Sequence, residues 1–300
     1  MPRRLLAIAN PISGRGRAAD LAPRLEELAR RAEVQIELRL TQHRGHAREL
    51  AAAAQVEGFD AVISVGGDGT MNEVVNGLGP GGLPLVIVPR GPGNVLAKEL
   101  RAPKDPLRCV QALRAWQVKQ RDLGRLNGER LFACFVGAGF DGECTRALSE
   151  RRGAIRMSNY LPIMWRAVRD SDYQGLSYEL DGASSCGPFS YVLAAITPAY
   201  GGPIELVGGA DPADGALDVF ALKGRIRPLR LGWILARAFA GRLGSYSCAS
   251  VQRGTAVVLA ASEPDQREVP IQVDGDFAGY LPARCEILPG AMSYLSMQPK

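Results

Sequence analysis

Histidine is nearly missing from this chain: its 300 residues hold two, His43 and His46. No cysteine lies near either, which excludes a zinc centre built on the usual nitrogen and sulfur ligands. No Gly-x-Ser-x-Gly turn is present, and both histidines fall early, so serine hydrolase chemistry lacks its nucleophile elbow and a base beside it. The six cysteines, Cys109, Cys134, Cys144, Cys186, Cys248 and Cys285, form no Cys-x-x-Cys pair and lie mostly among apolar residues, the usage of reduced core thiols in a cytoplasmic protein. No apolar run approaches the roughly 18 residues of a spanning helix. Met1-Pro2-Arg3-Arg4 with five apolar residues behind it is shorter than a secretory signal and reads as the approach to a first strand. A net charge of +5 is too mild for a dedicated nucleic-acid binder. Repeats and low-complexity linkers are absent as well.

What the chain does have is glycine around one carboxylate. Gly66-Gly67-Asp68-Gly69-Thr70 follows the apolar run Ala61-Val62-Ile63-Ser64-Val65 and precedes a helical pattern from Met71 to Leu78. Glycines at a strand-to-helix turn let backbone N–H groups approach an anion, and the helix N-terminus adds partial positive charge. Asp68 would repel a bare phosphate, so its presence suggests a divalent cation bridging the two, through water as Mg²⁺ prefers. An ordinary βα turn with glycines for packing is the competing reading. Similar turns follow two other apolar runs. Residues 5–9 lead into Asn10-Pro11-Ile12-Ser13-Gly14, and residues 84–88 lead into Pro89-Arg90-Gly91-Pro92-Gly93-Asn94. Continuous apolar runs alternating with helical stretches read as parallel strands, whose ligands lie beyond the strand C-termini.

The pattern changes near residue 120. Before it, strands near 4–9, 34–40, 60–65 and 84–88 alternate with helices near 17–32, 45–55, 70–78, 93–100 and 105–116. After it, short runs at 118–123, 131–136, 176–180, 190–196, 216–222, 256–261 and 270–273 read as antiparallel strands, with helices near 141–150, 156–170 and 228–241. We expect a nucleotide-binding α/β domain with a parallel sheet over residues 1–122 and a β-rich antiparallel domain over 123–288, with the active site in the cleft between them. Gly137-Ala138-Gly139-Phe140-Asp141-Gly142 satisfies the dinucleotide fingerprint, but the chain about 20 positions on reads Tyr160-Leu161-Pro162, with no acid for a ribose.

Several motifs resemble, in order, those of the diacylglycerol kinase catalytic family, which includes bacterial soluble lipid kinases and the sphingosine and ceramide kinases and is distantly related to NAD kinase. They are Asn10-Pro11 with Ser13-Gly14, the Gly66 to Thr70 turn with Asn72-Glu73, the Pro89 to Asn94 loop with Ala97, and Val273-Asp274-Gly275-Asp276; weaker matches are Thr41 with Gly45-His46-Ala47, residues 135–141 and residues 211–218. The resemblance spans nearly the whole chain. It implies the same two-domain architecture, with residues 289–300 returning to the first domain. It implies transfer of the ATP γ-phosphate to a lipid hydroxyl, diacylglycerol-like, with Asp274 as the general base. Asp68 and Asp122 would hold Mg²⁺; Gly66, Gly67, Gly69, Thr70, Asn10, Ser13, Gly91, Gly93, Asn94 and Asp276 would line the nucleotide site. Asn94 also reads as the N-cap of the helix that follows it. Asp211 and Asp214, with Asp218, match a loop where a structural cation binds, although an Asp-Gly hairpin explains them nearly as well. A sphingoid base or phosphatidylglycerol as acceptor, or a non-catalytic sensor of nucleotide or lipid, are the alternatives. A role in phospholipid metabolism follows, and a homodimer stays open.

Two departures from that family stand out. The third loop commonly reads Gly-Thr-Gly-Asn-Asp and here reads Gly91-Pro92-Gly93-Asn94-Val95; the last motif commonly ends in Glu and here ends in Asp276. Proline removes an amide donor from a phosphate loop. One stretch stands outside these motifs. From Lys223 to Arg242 there are six basic residues, no acid, and Leu229, Leu231, Trp233 and Ile234; Arg151, Arg152, Arg156, Trp165, Arg166 and Arg169 repeat the theme. Such a helix suits peripheral contact with an anionic inner membrane face, or else packs on a sheet with its arginines in water.

Overall fold

The computed structural model describes residues 2–13, 21–91, 93–150, 162–163, 165–167, 169, 175–201, 204–239, 247–262 and 268–297. Gly14, Pro92, Arg151, Arg152, Arg156 and Arg242 lie outside the described residues, as does the Cys186 side chain. The chain divides into two compact units, residues 1–123 with 289–300, and residues 124–288.

The first unit alternates strand and helix: β1 (Arg4–Ala9), α1 (Leu21–Ala32), β2 (Gln35–Leu40), α2 (His46–Ala54), β3 (Ala61–Gly66), α3 (Asp68–Leu78), β4 (Leu85–Pro89), α4 (Val95–Glu99), a 3-10 turn (Pro106–Cys109), α5 (Val110–Ala115) and β5 (Val118–Leu126), which runs past the boundary. Strands β1, β3 and β4 are buried along essentially their whole lengths, which is why they read as unbroken apolar runs. The parallel order is β2-β1-β3-β4, and beyond β4 the end of the last strand adds Tyr294 opposite Leu85. The expected helix over 105–116 is broken into a 3-10 turn and α5, because Pro106 sits at its start with Asp105 capping the Leu107 amide. α2 and α3 pack through small side chains, Ala47, Ala51 and Ala54 being buried.

The second unit holds β6 (Arg130–Phe132), β7 (Phe135–Gly139), α6 (Phe140–Ser149), β8 (Leu176–Leu180), β9 (Ala183–Ala195), β10 (Ala199–Gly201), β11 (Ile204–Glu205), β12 (Leu217–Lys223), α7 (Pro228–Phe239), β13 (Ala249–Gly254), β14 (Ala256–Ala261), β15 (Pro270–Val273), β16 (Asp276–Tyr280) and the start of β17 (Ala283–Leu295). Its pairings are antiparallel, in the order β16-β15-β7-β9-β8-β14-β17, with β12 and β13 continuing from β9. A separate core fills it, in which Phe132, Val136, Val192, Ala194, Val219 and Leu259 are fully enclosed. The thirteen-residue β9 exceeds the expected 190–196, and β13, β16 and β17 were not expected at all.

Gly77 tests how tightly the first unit is built. A Cβ there would lie 2.3 Å from the Arg48 carbonyl oxygen and 2.8 Å from the Ala51 Cβ. Alanine is the better helix former by about 1 kcal/mol, yet the neighbour is backbone and cannot turn away. Gly77→Ala should therefore destabilise the chain by about 1–3 kcal/mol in urea unfolding; a gain in stability would show that α2 and α3 slide apart freely.

Candidate functional site

In the first unit the C-terminal ends of β1, β3 and β4 are tied together by backbone hydrogen bonds. The Asn10 amide donates to the Val65 carbonyl at 3.1 Å, and the Arg90 amide to the Gly66 carbonyl at 2.7 Å. The helix after β3 begins at Asp68 and not at Thr70 as expected, so Asp68, Gly69 and Thr70 form its first turn, with Gly67 as an extended N-cap. Amides of a first turn have no acceptor inside their own helix. Asn10 Nδ2 donates to Thr70 Oγ1 at 3.3 Å, Asn10 Oδ1 accepts the Ile12 amide at 3.1 Å, and the Ser13 amide donates to the Asn10 carbonyl.

Glycine is required where the loops touch. A Cβ on Gly91 would sit 2.7 Å from the Gly67 Cα, and one on Gly93 would sit 2.5 Å from Asp68 Oδ2. The two loops therefore pass backbone against backbone. Asp68 joins them: its Oδ2 accepts the Asn94 amide at 2.6 Å and its Oδ1 the Val95 amide at 2.8 Å. Asn94 occupies the N-cap position of α4 in the left-handed region, φ 53°, but its side chain caps nothing. It turns back on Gly91, accepting that amide at 3.1 Å and donating to that carbonyl. The cap of α4 comes from Asp68, which corrects the expectation for Asn94. The other end of α4 is held by Glu99, whose carboxylate pairs at 2.8 Å with Arg121, a guanidinium only 2% exposed.

Asp122 is buried and its Oδ1 accepts the Gly290 amide at 2.7 Å. Among the described residues no three His, Cys, Asp or Glu side chains gather to hold a metal ion. Glu73, to which the sequence reading gave no task, accepts the amides of Gly45 at 2.9 Å and Ala47 at 3.2 Å and fastens the start of α2 to α3.

In the second unit Asp274 stands in the turn between β15 and β16 with φ 49°. Three successive amides grip its carboxylate: Cys134 and Phe135 donate to Oδ1, each at 2.9 Å, and Ala133 to Oδ2 at 2.7 Å. Burial pushes its pKa up to about 6, against those donors, which favour the charged form. Asp276 follows in β16 and faces Arg130 at 3.7 Å. Asp211 and Asp214 accept the amides of Ala213 and Ala216 two residues on. The positive charge beside them is the guanidinium of Arg253 on β13, which pairs with Asp214 and lies 4.0 Å from Asp218.

A second buried carboxylate was missed. Asp141, in the first turn of α6, is 2% exposed, and its Oδ2 accepts from Tyr191 Oη at 3.0 Å, Tyr200 Oη at 3.2 Å and Gln272 Nε2 at 3.1 Å. The Gly142 amide donates to Oδ1 at 2.8 Å. Gly137 makes room for it, since a Cβ there would fall 2.1 Å from Oδ2. Burial raises its pKa to about 6 despite four donors. The signal was present as Gly137 to Gly142, which satisfied a dinucleotide fingerprint and drew attention to its glycines instead of its acid.

The chain thus joins a parallel α/β unit with glycine loops at its strand ends to an antiparallel β-rich unit carrying a gripped aspartate. Residues 4–126 match the diacylglycerol kinase catalytic domain, and residues 134–296 match the YegS C-terminal NAD kinase beta sandwich-like domain. The chain belongs to the diacylglycerol kinase family and is a lipid kinase. It is 29% identical to a diacylglycerol kinase of Mycobacterium tuberculosis over 97% of this chain and 94% of that protein. It is 29% identical to human sphingosine kinase 1 over 71% of this chain and 55% of that protein. A diacylglycerol kinase crystal structure from Bacillus anthracis superposes with a TM-score of 0.71 at 21% identity, covering 98% of this chain and 96% of that one, and shows the shared fold.

The raised pKa of Asp141 has a stability consequence. Its folded value near 6 exceeds the ordinary 3.8, so its favourable contribution is complete below 3.8 and is lost as pH rises through 6. Asp141→Asn abolishes that titration while leaving an acceptor short for its donors, a cost of about 1–3 kcal/mol. In denaturant unfolding the variant should start below the wild type at pH 4 and close part of the gap by pH 7, at up to about 1.4 kcal/mol per pH unit. A gap that does not change with pH would contradict the assignment.

Proposed function

We propose that the chain transfers the γ-phosphate of ATP to a hydroxyl of a diacylglycerol-like lipid. The lipid oxygen bonds to the γ-phosphorus, the bond to the β,γ-bridging oxygen breaks, ADP leaves, and the hydroxyl proton passes to the Asp274 carboxylate. The observation that carries this reading is the state of Asp274. A carboxylate held rigidly by three amides keeps a free lone-pair position on Oδ2, which takes one donor where Oδ1 takes two. With a pKa near 6 it is mostly ionised at neutral pH and still basic enough to accept a proton.

The nucleotide falls to the first unit, whose loops present the first-turn amides of α3 and the closely opposed backbones of Gly67 and Gly91. Asp68 serves here by building the loop. Mg²⁺ bound with the nucleotide would neutralise phosphate charge, with Asp68 and Asp122 the residues that would hold it through water, as this ion prefers. Diacylglycerol is favoured as acceptor because full-length relatives bear that name, including the M. tuberculosis protein.

Two variants separate the duties. In phosphorylation of diacylglycerol presented in mixed micelles, kcat/KM of the wild type should rise with pH on an acid limb near 6. Asp274→Asn should lower kcat by about 10²–10⁴-fold while calorimetry finds ATP affinity nearly unchanged. Asp68→Asn should weaken ATP binding first. Equal loss of ATP affinity in both variants would refute this division of labour, and a wild type that phosphorylates no lipid hydroxyl would refute the proposal itself.

A further inference from the structure

The helix α7 carries an outer face that water does not explain. Leu231 and Ile234 are buried against the second unit, whereas Leu229 is 92% exposed and Trp233 57% exposed. Gly232 and Ala236, at the helical spacing that shares the face of Leu229 and Trp233, are exposed as well. Among the described side chains, the most exposed face of this helix, at Leu229, Gly232, Trp233 and Ala236, is therefore apolar, with Arg230 and Arg237 only partly exposed beside it. Around it, from Lys223 to Phe239, stand Lys223, Arg225, Arg227, Arg230 and Arg237 with no acidic residue. Arg230 is committed to backbone, donating to the carbonyls of Arg225 and Lys223, and so stiffens the approach to the helix. Arg227 is exposed at its start, and the Arg237 guanidinium lies 6.0 Å from the Trp233 ring.

From this face we infer that α7 docks the enzyme on an anionic lipid bilayer, with Leu229 and Trp233 entering the interface and the basic side chains meeting the headgroups. The inference rests on the lipid kinase reading for its motive, since an acceptor with acyl chains resides in a bilayer. Its physical basis is separate. An apolar stripe bordered by cations matches a surface that is apolar beneath an anionic layer, and tryptophan partitions to such interfaces. A second copy of the chain fits poorly, because a two-fold contact would set this basic patch against itself.

Sedimentation with vesicles, without nucleotide, tests it. The wild type should bind vesicles of phosphatidylglycerol mixed with phosphatidylcholine, bind pure phosphatidylcholine at least 10-fold less, and release as salt rises. The double variant Leu229→Ser with Trp233→Ser, and separately Arg227→Glu, should each lower the partition coefficient at least 10-fold. All three side chains are exposed, and unchanged circular dichroism and thermal midpoints would show the fold intact. Equal binding to neutral vesicles, no wild-type binding, or full binding by both variants would overturn the inference. So would a concentration-dependent wild-type dimer that the double variant abolishes, since the face would then be a self-association surface. Vesicle binding by a wild type that phosphorylates no lipid would leave the docking face standing and remove only the kinase reading.

Discussion

One carboxylate organises the C-terminal edge of the first unit's sheet. Asp68 lies at the start of α3 and donates nothing; it accepts two amides from the beginning of the neighbouring α4. Charge-assisted bonds of this kind contribute roughly 1.5–3 kcal/mol each, and they add to the two bonds between the Asn94 side chain and Gly91 that order the same loop from within. The glycines follow from that contact. Gly67 and Gly91 must pass within backbone distance for the carboxylate to reach, and Gly93 must leave Oδ2 clear. α4 has five residues and makes few bonds of its own, so it depends on being held at both ends, by Asp68 at the first and by the pairing of the partly buried Glu99 with the buried Arg121 at the last.

The second unit solves a different problem with the same residue type. Asp141 and Asp274 are both buried, and burial raises both pKa values to about 6. Their partners divide them. Asp274 is surrounded by main-chain amides, which fix its position without responding to ligand. Asp141 is surrounded by two tyrosine hydroxyls and a glutamine amide, side chains that can exchange one partner for another. The buried thiols of Cys109, Cys144 and Cys285 are pushed up to about 12 by the same desolvation and remain unreactive core groups.

Much of the first unit was legible because its strands are buried on both faces and so appear as pure apolar runs. The second unit was harder to read. β17 runs thirteen residues through Pro289-Gly290, a pair that signals a turn in sequence; here Gly290 takes φ 61° and its amide finds Asp122, so the strand continues. β13 reads Ala-Ser-Val-Gln-Arg-Gly and is half exposed, with no apolar alternation to detect, yet it places Arg253 beside Asp214 and Asp218. The hydrogen-bond partners of these side chains were not legible in the sequence. That Asp68 would meet Asn94 and Val95, 26 and 27 positions on, depends on the β3–β4 register, which only the assembled sheet supplies. Asp141 stayed hidden for a similar reason, since its donors come from positions 191, 200 and 272.

The claim that Asp68 orders the loop between β4 and α4 is most directly open to amide hydrogen exchange at Asn94 and Val95. With Asp68→Ala, exchange at these two amides should accelerate at least 10²-fold relative to the wild type while the amides of β3 and β4 keep their protection. Unchanged exchange at Asn94 and Val95 would show that the loop is ordered without the carboxylate, and the account of this edge would fail.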